Sequence, residues 1–127
     1  MNLLESTLKH EGFRSKPYQD SLGVWTVGHG LTYITETESK EIVRARLHVL
    51  YSRWEIMRPN YNFAILDVLT EMSFQMGFHG VLNFKKMLAA LTDKNYALAA
   101  DEMLDSRWAK QTPGRAQEMS DIIRGLV

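Results

Sequence analysis

Glu11-Gly12-Phe13-Arg14-Ser15-Lys16-Pro17-Tyr18-Gln19-Asp20-Ser21-Leu22-Gly23-Val24-Trp25-Thr26-Val27-Gly28-His29-Gly30 is the stretch in which the periodicity of this chain changes. Before it, Leu4, Leu8 and Glu11 recur at helical spacing and share one face. Asn2 and Glu5 form a capping-box pair that opens this helix. Gly12 is its predicted stop, because glycine reaches left-handed φ without strain. Within the stretch, Tyr18, Val24, Trp25, Thr26 and Val27 favour strands, and Asp20-Ser21-Leu22-Gly23 supplies a turn between them. Gly23, Gly28 and Gly30 argue for tight backbone. The reading is a small hairpin or short three-stranded sheet, with Val24, Thr26 and Gly28 on one face.

Downstream the helical period returns. Thr35 and Glu38 make a second capping box, and Val43, Leu47, Leu50 and Trp54 trace an apolar stripe that ends before Pro59. Asn60 or Tyr61 is expected to open a helix over 65–76, apolar on nearly every side and so buried at the centre of a helical lobe. Gly77 is its stop. Phe84, Met87, Leu88 and Leu91 predict a short helix, and Tyr96, Ala99, Ala100, Met103 and Leu104 another. Thr112-Pro113 reads as the N-cap and first residue of a last helix ending near Gly125. The class is α+β, with a small β lobe and a larger helical lobe.

Composition narrows the function. The 127 residues fit one domain, and 45% hydrophobic residues exclude a disordered chain. Fifteen Lys+Arg balance fifteen Asp+Glu, which weighs against nucleic-acid binding. Zero cysteines remove disulfides, thiolate zinc sites and cysteine nucleophiles. No signal peptide and no bilayer-spanning run is read, so the expectation is synthesis in the cytoplasm without a membrane anchor. His10-Glu11 lacks the second histidine of a zincin, since Arg14 stands there. Gly28-His29-Gly30 meets Tyr33 where a dinucleotide fingerprint needs glycine, and no Gly-x-Ser-x-Gly elbow exists. No metal and no cofactor is expected.

What remains is a carboxylate pair, Glu11 and Asp20, around a glycine turn, with Thr26 on the next strand. Glycoside hydrolysis needs one carboxyl that holds its proton and one that is ionised. A glutamate at a helix C-terminus, on an apolar face, meets the negative end of the dipole, which disfavours its charge. Asp20 lies in a polar turn, where its charge is tolerated, and the Thr26 hydroxyl is placed to help hold a water against it. Singly, each has an ordinary explanation: Glu11 pairing with Lys9 or Arg14, Asp20 as a turn residue, Thr26 as a strand former, His29 as a structural or solvated residue.

Order and spacing tip that balance. Glu11-Gly12-Phe13-Arg14 with Tyr18-x-Asp20-Ser21-x-Gly23-Val24-Trp25-Thr26-Val27-Gly28-His29-Gly30 closely resembles the active-site segment of the phage T4-type lysozymes, glycoside hydrolase family 24. A second block agrees with it: Met72-Ser73-Phe74-Gln75-Met76-Gly77, then Ser106-Arg107-Trp108, then Gln111-Thr112-Pro113-x-Arg115-Ala116. The resemblance spans nearly the whole chain. It implies a single lysozyme domain with a β lobe at about 13–34 and a helix at about 36–54 joining it to a helical lobe. That lobe is about 60–127 plus the N-terminal helix, with an active-site cleft between the lobes. It implies Glu11 as general acid, Asp20 as the carboxylate that activates water, and Thr26 as its assistant. Gln75, Gly30 and Leu31 would bind substrate. Arg115, His29, Trp108, Gln111 and Thr112 would support the site, with Arg115 matching the family arginine that pairs with the catalytic glutamate.

The activity so implied is a muramidase that cleaves the β-1,4 bond between N-acetylmuramic acid and N-acetylglucosamine in peptidoglycan, with inversion. It would serve as a monomeric phage endolysin, made in the host cytoplasm and needing a holin-type pore to reach the wall. A wall-binding module without catalysis and a lytic transglycosylase that releases a 1,6-anhydro sugar are the alternatives. Three departures from the family stand out. The chain is shorter than the enzyme the family is named for, mainly between Tyr33 and Thr35. Leu31 replaces the family histidine after the second turn glycine, and His10 replaces an acidic neighbour of Glu11.

Overall fold

The computed structural model describes residues 2–127 and divides into two compact units, Met1–Ile42, described from Asn2, and Val43–Val127. In the first unit, α1 (Leu3–Glu11) begins at the expected capping box: the Glu5 amide donates to Asn2 Oδ1 at 2.8 Å, and the Asn2 amide donates to Glu5 Oε2 at 3.3 Å. Gly12, at φ 69°, ends α1, its N–H donating to the Leu8 carbonyl at 3.0 Å. The apolar face expected of α1 is not buried, since the helix has no buried residue.

Two strands follow, β1 (Arg14–Gln19) and β2 (Trp25–Gly28), as an antiparallel hairpin with Tyr18 opposite Thr26 and Gln19 opposite Trp25. An irregularity between Arg14 and Tyr18 lets Arg14 pair with Gly28, and a single bridge joins Val27 to Leu31. Of the two sheets expected, the hairpin is the one formed. Val24 falls in the turn and not on the strand.

The division between units falls within α2 (Glu36–Met57), whose start carries the second capping box: the Glu38 amide donates to Thr35 Oγ1 at 3.1 Å and the Thr35 amide to Glu38 Oε1 at 3.0 Å. The Thr35 amide first, then its hydroxyl, holds the exposed Glu38 carboxyl below the ordinary carboxylate range.

The second unit is built on α3 (Phe63–Met76), which buries Ile65, Leu66, Val68, Leu69 and Met72, as its all-round apolarity predicts. Asn62, beyond the Asn60 or Tyr61 expected, caps it by accepting from the Ile65 amide at 3.0 Å. Trp54 of α2 is fully buried against Phe78, its indole N–H donating to Ser73 Oγ at 2.7 Å. That hydroxyl passes its own proton to the Leu69 carbonyl, so neither polar group is left unpaired in the core. Then come α4 (Phe78–Leu82), α5 (Lys85–Thr92), α6 (Tyr96–Leu104), α7 (Arg107–Gln111) and α8 (Pro113–Arg124).

Two of these, α4 and α7, are single-turn helices that the sequence pattern does not announce. Thr112 and Pro113 stand at the N-cap and first position of α8 as expected, the Thr112 carbonyl accepting from the Ala116 amide at 3.0 Å, but the Thr112 side chain makes no cap bond. Thr112 already closes α7, and its hydroxyl donates back to the Trp108 carbonyl at 3.0 Å. No helix of the described residues is long and apolar enough to cross a membrane.

Candidate active site

The first unit holds Glu11 at the end of α1, Asp20 and Thr26 in the hairpin that follows, and Gly30 in the turn after β2. Asp20 is fixed by its own turn. Its Oδ1 accepts from the Leu22 amide at 2.8 Å and the Val24 amide at 2.9 Å. Val24 anchors Thr26 as well, through its other main-chain group: the Val24 carbonyl accepts from the Thr26 hydroxyl at 3.0 Å and from the Asp20 amide at 2.9 Å. The two ends of one residue therefore hold both side chains. Thr26 is buried, with 6% of its surface exposed, and Asp20 is half-buried. Asp20 Oδ2 and the lone pairs of the Thr26 oxygen are the acceptors that the turn leaves uncommitted.

Glu11 is the exposed last residue of α1, and its carboxyl group lies against the backbone of Gly30. A Cβ at position 30 would stand 2.7 Å from Glu11 Cδ and 3.1 Å from Cγ, and it would overlap Oε2. Gly30 also has φ +74°, where an L-side chain is strained. Gly30→Ala is expected to destabilise the chain by about 1–2 kcal/mol through that backbone conformation. Urea unfolding measures the effect, and unchanged stability in the variant would mean that the backbone at position 30 carries no such strain.

The other sequence-chosen residues have separate surroundings. His29 is half-buried and its ring lies 5.2 Å from that of Phe13, centroid to centroid. Leu31 is exposed. In the second unit, Gln75, Trp108 and Gln111 line an open groove of about 820 Å³. There the Trp108 indole N–H donates to Gln75 Oε1 at 2.9 Å, so the exposed amide is held by the half of the pair that belongs to the core. Arg115 is 3.7 Å from Glu71, an ion pair the sequence does not suggest. Sequence reasoning passed over other residues of this groove: Phe84, edge-on to Trp108 at 6.2 Å, together with Lys85, Lys86, Arg107 and Asp105. The Phe84-Lys85-Lys86 run, an aromatic beside two cations, is the signal that points to them. Among the described residues no group of three or more metal-ligating side chains is assembled.

Glu11 thus closes a helix, and Asp20 lies in the turn of the hairpin that follows it. The family model described as phage lysozyme matches residues 8–127, and the chain belongs to that family. It is 42% identical over 55 residues to "Probable T4-type lysozyme 1" of Dictyostelium discoideum, covering 43% of this chain and 32% of the relative. "Probable T4-type lysozyme 2" of the same organism is 41% identical over 54 residues, covering 42% and 32%. "Pre-baseplate central spike protein Gp5" of Enterobacteria phage T4 is 26% identical over a 162-residue alignment that takes in 97% of this chain and 28% of that protein. The matched regions span about a third of the length of these curated relatives.

Proposed function

We propose that this chain is a muramidase that hydrolyses the β-1,4 bond between N-acetylmuramic acid and N-acetylglucosamine in bacterial peptidoglycan, with inversion. What supports the reading is the Val24 main chain, whose N–H donates to Asp20 Oδ1 and whose carbonyl accepts from the Thr26 hydroxyl, so that one residue holds both side chains. Thr26 donates its proton to the Val24 carbonyl, so its oxygen faces a water only as an acceptor. Asp20 Oδ2 is an acceptor as well. A water held between them gives one hydrogen to each and turns a lone pair outward, toward the anomeric carbon of the sugar.

Glu11 supplies the other half. Its proton passes to the glycosidic oxygen as the C–O bond breaks, the water oxygen forms the new C–O bond, and the water's proton goes to Asp20. The products are a new reducing end and a free hydroxyl, and Glu11 regains its proton from solvent. Gly30 and Leu31 in the first unit and Gln75 in the second are proposed to contact glycan. Arg115, His29, Trp108, Gln111 and Thr112 are proposed as support.

Mass analysis of muropeptides released from purified sacculi tests this. Hydrolysis gives reducing-end muramic acid. A product lacking the mass of one water is the 1,6-anhydro sugar of a transglycosylase and overturns the reading, as does binding without release. Proton NMR of the fresh products reads the anomer formed first, and the β anomer would overturn inversion.

The biological setting proposed is that of a phage endolysin acting on the wall after a holin-type pore gives access. The likeness to Gp5 along 97% of this chain favours a second deployment, as the lytic domain of a phage particle. Finding the chain in purified virions would decide for the latter.

A further inference from the structure

We infer that Phe13 and His29 form a ring brace that positions Glu11, with His29 acting through Gly30; this rests on the proposed role of Glu11. Three contacts run in register across the start of the hairpin. Arg14 pairs with Gly28, the Phe13 and His29 rings lie 5.2 Å apart at 45°, and the Glu11 carboxyl lies on Gly30. The helix end and the loop after β2 are thus joined residue by residue, and the last of these contacts is the acid itself.

The loop is built to transmit that contact. Its ends are closed by two reciprocal bonds, Val27 N–H to the Leu31 carbonyl and Leu31 N–H to the Val27 carbonyl, each 2.9 Å. Gly28 and Gly30, on either side of His29, both have positive φ, at 65° and 74°. Between two residues with so little steric guidance of their own, the His29 ring adds a side-chain contact to the main-chain bonds that hold the loop. Phe13, 64% exposed, adds little to any core, so its contact with His29 is its main engagement. An aromatic ring accounts for the brace, and the ring nitrogens of His29 are not required.

The test compares wild type with His29→Ala, His29→Phe and Phe13→Leu. In His29→Ala, kcat on sacculi is expected to fall about two- to tenfold, what one aromatic pair is worth, with KM nearly unchanged. His29→Phe restores kcat, and Phe13→Leu behaves as His29→Ala. Hydrogen exchange at the Leu31 amide, read by NMR, is expected to quicken in His29→Ala and to return to the wild-type rate in His29→Phe. Unchanged kcat in a folded His29→Ala protein, or failure of His29→Phe to restore it, overturns the brace. If wild type itself releases no fragments, the hydrolase reading falls, and Leu31 exchange still decides the brace: acceleration in His29→Ala supports it, no acceleration overturns it.

Discussion

Glu11→Gln is expected to lower turnover on peptidoglycan by about 10²–10⁴-fold, the range for loss of the general acid proposed at this position. The fold should be untouched. Glu11 is exposed, and the cap that ends α1 uses the Gly12 N–H and the Leu8 carbonyl, with no part for the glutamate side chain. Glutamine keeps the shape of the side chain and its place over Gly30 but has no proton of suitable acidity to give. Reducing-end release from sacculi, read beside far-ultraviolet circular dichroism, measures both parts. Substantial cleavage by the variant would take Glu11 out of the chemistry.

Asp20 allows a sharper experiment, because its two oxygens separate a task in the turn from the one proposed for it in the chemistry. Oδ1 holds the turn through the Leu22 and Val24 amides, and Oδ2, which the turn leaves uncommitted, is the proposed base. Asp20→Asn retains an acceptor for the turn and loses the base, so turnover should fall by about 10²–10⁴-fold with stability nearly unchanged. Asp20→Ala loses the base and both turn bonds, and it should be less stable by about 0.5–1.5 kcal/mol for each bond. Thermal melting separates the two variants where activity does not. An Asp20→Asn protein that still cleaves glycan would leave Asp20 a turn residue only and would move the mechanism toward single-acid chemistry with an anhydro product.

The parts of this molecule that the sequence discloses are those decided within a few residues. The two capping boxes, Asn2 with Glu5 and Thr35 with Glu38, form as their spacing requires, and Pro113 starts α8. The dense apolarity of 65–76 predicts a buried helix, and it is buried. Single-turn helices such as α4 and α7 are too short to show a period, and α7 in turn engages the Thr112 hydroxyl, so that Thr112 stands at the N-cap of α8 without a side-chain cap bond.

Contacts made across the fold are a different matter. Glu11, Asp20 and Thr26 can be chosen as candidates from their types and spacing. Nothing local says that a carboxyl group at position 11 rests on the backbone of residue 30, or that Arg115 faces Glu71. The double duty of the Val24 main chain is equally hidden, because it depends on main-chain groups that every residue carries.

That last point bears on how such a domain can change its diet. Leu22, Val24 and Trp25 all point outward, with 86%, 44% and 62% of their surfaces exposed, while main-chain groups alone hold the residues behind them. Almost any side chain except proline at position 24 keeps the donor on which Asp20 depends. The outer wall of the hairpin can therefore be repainted, by drift or by an engineer, to suit a differently decorated polymer without retooling the groups behind it.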